Sequence, residues 1–181
     1  MTSLLGNLIP LFSGHRRIED LFTETVARLF ERRQKLCLDW LEEAGLHTAR
    51  VKDRTRVHVT TQKTFKTEDG SVIRPDLWVE VHRVSDENLA EGEALTDVVM
   101  IESKIGAREE KEQLKKYADH LAKMTGFDSR TLIYITRAYD PKKEDEVVSE
   151  PGEVDFKSLR WHDFYHFLGT TEKDVLVEEI I

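Results

Sequence analysis

The chain has 181 residues, of which 39% are hydrophobic and 34% charged, and a formal net charge of −8. This length allows one domain with a sizeable core, and the single cysteine, Cys37, excludes an internal disulfide and favours a reducing compartment. The apolar stretch at residues 4–12 is interrupted by Asn7 and Pro10 and is too short to span a bilayer. We therefore expect a cytoplasmic protein without a membrane anchor.

Hydrophobic periodicity predicts helices and strands in the first half of the chain. Residues 18–46 carry apolar side chains at helical spacing, which indicates one long helix or two successive ones. Residues 56–65 are typical of a strand, and the polar residues 66–71 predict a hairpin-like turn. A second strand is expected over residues 74–81.

The second half predicts a central strand followed by alternating helices and strands. Residues 96–104 are apolar on both faces, as in a strand covered on both sides. The remaining predicted elements are a helix at 109–124, strands at 132–136 and 154–160, a mobile loop at 140–153 and a helix at 161–168. This order predicts an α/β fold with a mixed β-sheet flanked by helices.

We expect residues 1–181 to form a single domain. Within it, residues 1–14 are interpreted as an N-terminal extension, 15–168 as the core, and 169–181 as a C-terminal helix. The abrupt apolar end at Ile180-Ile181 suggests a domain cut from a longer chain, or a terminus that docks on a partner.

Three charged side chains are predicted to meet at the ends of two strands. Asp76 follows Pro75 in one strand, and Glu102 and Lys104 come at the end of the other. Because strand side chains alternate between faces, Glu102 and Lys104 point the same way. Two carboxylates suit a hard cation such as Mg²⁺, and a lysine beside it can orient a water and offset charge on a phosphate.

An acid two residues before a lysine occurs four times in this chain, so the spacing alone is a weak signal. Only Glu102-Ser103-Lys104 ends an apolar, strand-like run, namely residues 98–101. Together with Pro75-Asp76, it resembles the signature of the PD-(D/E)XK nuclease superfamily. Gln113 and Tyr117 resemble the QxxxY helix motif of several branches, and residues 19–24 resemble the acidic first-helix motif.

The resemblance implies a restriction-endonuclease-like three-layer core and a metal site. Asp76 and Glu102 would ligate Mg²⁺ or Mn²⁺, together with the main-chain carbonyl of Ser103. Either Glu19 or Glu24 would supply an additional carboxylate, although acids at a helix N-terminus are equally well explained by the helix dipole. For Asp76, the alternative is a residue that only begins a strand.

The resemblance also implies that Lys104 orients the attacking water and that Gln113 supports the site. The alternative for Lys104 is a simple ion pair with Glu102, which metal binding would not exclude. The alternative for Gln113 is an ordinary helix amide at the edge of the apolar face.

The acidic net charge opposes nucleic-acid binding, but residues 1–66 carry an excess of basic side chains. Those that could follow a phosphate backbone are Arg50, Lys52, Arg54, Arg56, Lys63 and Lys66. A solvated surface without a binding role explains them equally well.

We therefore expect a divalent-metal-dependent nuclease acting on DNA in restriction, antiviral defence or repair; the sequence leaves open whether it is an endonuclease or an exonuclease. An endonuclease that cuts both strands of a duplex would call for a homodimer, and the C-terminal end could join a sensor or oligomerisation partner. One alternative is a catalytically silent interaction or assembly module of the same fold, and another is an RNA-cleaving nuclease.

Overall fold

The computed structural model describes residues 15–46, 55–83, 94–105 and 112–170. The expectations for residues 1–14 and 171–181, and those for Arg50, Lys52 and Arg54, lie outside these residues. The elements are α1 (His15–Arg32), α2 (Gln34–Glu43), β1 (Thr55–Thr61), β2 (Phe65–Lys66), β3 (Val72–Ile73), β4 (Leu77–Arg83), β5 (Ala94–Lys104), α3 (Gln113–Ala122), β6 (Ser129–Thr136), α4 (Glu144–Val147), β7 (Asp155–Arg160) and α5 (Trp161–Thr170).

Five of these strands form a mixed sheet in the order β1-β4-β5-β6-β7. β4 pairs antiparallel with both β1 and β5, whereas β6 pairs parallel with both β5 and β7. β2 and β3 form a separate hairpin between β1 and β4. The predicted α/β fold is confirmed, and it is consistent with a restriction-endonuclease-like architecture.

The sheet is covered on both faces, which explains why β5 is apolar on both sides. Its Val99 and Ile101 belong to the core beneath α1, α2 and α5. Its Val98 and Met100 belong to a second core beneath α3. This alternation directs the even-numbered side chains of β5, including those at its carboxyl end, towards α3.

Two predictions are refined by the structure. The helical stretch at 18–46 divides into α1 and α2 at Arg33, where the backbone leaves the helical conformation. The segment 140–153, expected to be a mobile loop, contains the helical turn α4. Val147 and Val148 are buried in the core beneath α3, so this segment is anchored at its middle.

Candidate active site

A polar cleft of about 300 Å³ opens at the carboxyl end of β5, between α1, α3 and the β2–β3 hairpin. Five of the side chains predicted from the sequence as site residues lie together in the lining of this cleft. These are Glu19, Asp76, Glu102, Lys104 and Gln113.

Asp76 lies in a bend immediately before β4, rather than inside a strand as expected. Pro75 has no N–H to donate to a strand partner, which favours this late start. The Asp76 carbonyl accepts the backbone N–H of Gln62 at 3.0 Å. Its carboxylate oxygen Oδ2 accepts the backbone N–H of Ser103 at 2.7 Å. Asp76 is thus fixed against the strand that carries the other two charged residues.

Glu102 is 2% exposed, and its two carboxylate oxygens have different surroundings. Oε1 accepts hydrogen bonds from Lys104 Nζ at 2.5 Å and from Gln113 Nε2 at 2.8 Å. Oε2 is buried and accepts no hydrogen bond from any residue that the structure describes. A buried carboxylate oxygen without a partner is energetically costly, and a bound cation or water at this atom would offset that cost.

Gln113 connects the acidic site to the rest of α3. Besides Glu102, its Nε2 also donates to the hydroxyl of Tyr117 at 2.9 Å. Tyr117 is 3% exposed and reaches the cleft lining, so it belongs to both the core and the site.

Burial and the proximity of like charges shift the titration of the site. Burial raises the pKa of the Asp76 carboxyl, and burial together with the Asp76 charge raises the pKa of the Glu102 carboxyl. Burial by itself would lower the pKa of the Lys104 ammonium, but the Glu102 carboxylate outweighs it and the pKa is raised. Lys104 therefore carries its positive charge at neutral pH.

These residues fit a divalent cation. The unpartnered Oε2 of Glu102 and the carboxylate of Asp76 are hard oxygen donors, and a cation would offset their repulsion. In the described part of the chain, no group of three or more His, Cys, Asp or Glu side chains is arranged to hold a metal ion. Asp76 and Glu102 are therefore the two carboxylates that fit the cation, and Glu19 lies beside them in the cleft lining.

The structure distinguishes the two first-helix acids. Glu19 is 6% exposed, lines the cleft, and accepts the backbone N–H of Ile105 at 3.0 Å. Glu24 is exposed and lies outside the cleft lining. Of the two alternatives, only Glu19 lies near the carboxylates.

Of the basic residues expected to bind nucleic acid, the three that the structure describes do not line the cleft. Arg56 is exposed on β1. Lys63 donates to Glu80 at 2.8 Å and lies 4.7 Å from the Trp78 ring centroid. Lys66 lines the groove next to the cleft.

Several cleft residues were not predicted as site residues: Asp20, Gln62, Arg74 and Lys116. Gln62 has a φ of +50°, which is rare for a residue other than glycine, and it donates to Asp20 at 3.0 Å. Gln62 reaches the site only because β1 pairs with β4. Asp20, by contrast, could have been identified from its position next to Glu19.

Comparison with known proteins agrees with the family resemblance of the sequence. Residues 91–179 match the family model of the PD-(D/E)XK nuclease superfamily. Neither the curated proteins nor the solved structures gave a significant match. The fold agrees with this match, and residues 91–179 belong to the PD-(D/E)XK nuclease superfamily. None of these findings supports the expected homodimer. No helix in the described residues is both long and apolar enough to cross a membrane.

Proposed function

We propose that this protein is a divalent-metal-dependent nuclease that hydrolyses phosphodiester bonds of DNA. The observation that carries the proposal is the buried Glu102 carboxylate. One of its oxygens is held by Lys104 and Gln113, and the other has no partner among the described residues. In a purely structural ion pair, both oxygens of a buried carboxylate are usually hydrogen-bonded.

Asp76, Glu102 and the main-chain carbonyl of Ser103 would hold Mg²⁺ or Mn²⁺, with Glu19 as a supporting carboxylate. When bound, the cation supplies Lewis acidity and lowers the pKa of a coordinated water. The Ser103 N–H fixes the direction of the Asp76 carboxylate, and Gln113 fixes that of Glu102. The two acids are therefore oriented before substrate arrives.

Lys104 would lie at the scissile phosphate. Its ammonium is anchored on Glu102 and retains further N–H donors. Those donors orient the attacking water and offset the negative charge that grows on the phosphate in the transition state. Hydrolysis then proceeds by direct attack of water, without a covalent enzyme intermediate.

DNA cleavage in the presence of Mg²⁺, Mn²⁺ or EDTA tests this proposal. Wild type would be compared with Asp76→Asn and Lys104→Met, and Lys115→Met would serve as a control, because Lys115 is exposed and lies outside the cleft. We expect metal-dependent cutting that falls about a hundredfold or more in the two site variants and is unchanged in the control.

Equal cutting by all four proteins would contradict the proposed site. RNA of the same sequence is tested in parallel, and cleavage of RNA alone would overturn the choice of DNA. A role in restriction, antiviral defence or repair belongs to the same proposal and depends on the cutting activity.

A further inference from the structure

A groove of about 580 Å³ adjoins the cleft, between the β2–β3 hairpin and α3. Lys66 and Ser71 line it from the hairpin, and Lys116, His120 and Lys123 line it from α3. Lys116 also lines the cleft, so the groove and the cleft meet at this side chain.

Three acidic side chains in the groove are engaged in contacts of their own. Asp69 accepts hydrogen bonds from the Thr67 hydroxyl and from the Ser71 backbone N–H, and these bonds lower its pKa to about 2. Glu68 forms an ion pair with Lys123. Asp119 accepts a hydrogen bond from the Ser149 hydroxyl at 2.8 Å.

Two of the groove's lysines, in contrast, have no ion-pair partner among the residues that the structure describes: Lys66 and Lys116. Lys116 lies close enough to Asp69 to contribute to lowering its pKa, but it is not within ion-pair distance. Arg74 adds a third cation at the cleft end. The positive charges available to a ligand thus run from the cleft into the groove.

An exposed apolar side chain lies beside these cations. Val72 is 60% exposed on the hairpin and lines the cleft. Cations next to an exposed apolar surface match the chemistry of a nucleotide, which has an anionic phosphate and an apolar base face.

We propose that this groove binds the substrate strand beyond the cleavage site, with Lys116 and Lys66 contacting successive backbone phosphates. This inference rests on the proposed nuclease function and specifies where its substrate lies. The hairpin forms one wall, and the hydrogen bonds among Thr67, Asp69 and Ser71 fix its turn. The Glu68–Lys123 ion pair joins the two walls at the other end.

The salt dependence of DNA binding tests the inference. Affinity for a fluorescein-labelled DNA oligonucleotide, single-stranded and duplex, would be measured in EDTA, so that binding is observed without cleavage. The proteins are wild type, the single variant Lys116→Gln, the double variant Lys66→Gln/Lys116→Gln, and the control Lys115→Gln. Lys115 neighbours Lys116 on α3 but lines neither the groove nor the cleft.

For Lys116→Gln we expect an affinity loss of about fivefold, the size of one exposed ion pair. The slope of log K against log salt should fall by about 0.9 for duplex or about 0.7 for single-stranded DNA. The double variant should lose a second contact of similar size, and Lys115→Gln should match wild type.

Equal affinities and slopes for Lys116→Gln and Lys115→Gln would overturn the groove assignment. If wild type still cuts DNA in a metal-dependent way, that result leaves the proposed function intact. Absence of both binding and cutting by wild type would overturn the two together.

Discussion

The two faces of β5 at its carboxyl end differ sharply in chemistry. On the face towards α3, Glu102 is buried, Lys104 is half-buried, and both border an open cleft. On the opposite face, Ser103 accepts a hydrogen bond from the Trp161 indole N–H at 3.3 Å, at the edge of an aromatic core. Residues adjacent in sequence therefore belong to different environments.

The aromatic rings of the core pack against one another, whereas a buried carboxylate in the cleft lacks a hydrogen-bond partner for one of its oxygens among the described residues. Phe164 lies edge-on to Trp40, Trp161 and Phe30, with ring centroids between 5.3 and 5.9 Å apart. Glu102, in contrast, keeps a buried oxygen without a partner in the described residues. We infer that the core stabilises the fold and that the cleft contains an unfavourable buried carboxylate, whose cost a bound cation would offset.

The largest effect is expected from Phe164→Ala. Removing a ring that is 2% exposed leaves a cavity among three other aromatic rings, and should lower the free energy of unfolding by about 4 kcal/mol. Urea denaturation measures this. Tyr165→Ala is the control, because Tyr165 is 47% exposed on the same helix and should cost less than about 1 kcal/mol. Similar losses in both variants would contradict the packing described.

A smaller loss is expected from Trp161→Phe. The ring contact with Phe22, at 4.5 Å between centroids, is largely kept, but the hydrogen bond to Ser103 is lost. We expect a decrease of about 2 kcal/mol, part from the bond and part from lost volume. A double-mutant cycle with Ser103→Ala isolates the bond, and additive effects would show that it contributes nothing.

The smallest effect has the opposite sign. Without divalent metal, Glu102→Gln should raise the free energy of unfolding by about 1 kcal/mol, because a neutral amide no longer repels Asp76. Glu80→Gln is the matched control on the same sheet face. Glu80 accepts hydrogen bonds from Lys63 and Trp78, so its replacement should destabilise.

A loss of more than about 3 kcal/mol in Glu102→Gln would contradict this expectation. It would instead favour the alternative that Glu102 and Lys104 form a structural ion pair.

Much of the fold was predictable because local patterns agreed with the tertiary structure. The apolar run at residues 98–101 identified β5 as a buried strand, and the alternation of side chains placed Glu102 and Lys104 on one face. The break between α1 and α2 at Arg33 was not identifiable, since neither glycine nor proline marks it.

The candidate site could be predicted for the residues that belong to short sequence motifs. It could not be predicted for residues that reach the site only through strand pairing. Asp76, Glu102 and Gln113 were expected together. Gln62 adjoins them only through the pairing of β1 with β4, which no short pattern encodes. Lys63 was expected to contact nucleic acid, yet its ammonium is bound to Glu80, a partner that depends on the fold.

The most direct test of the metal-dependent site is the effect of Mn²⁺ on the free energy of unfolding of wild type, Asp76→Asn and Glu102→Gln. Binding to the native state alone should stabilise wild type by about 2.7 kcal/mol when free Mn²⁺ is about a hundredfold above Kd. We predict this increase in wild type and almost none in either variant. A parallel increase in all three proteins, or none in wild type, would contradict the assignment of Asp76 and Glu102 as metal ligands.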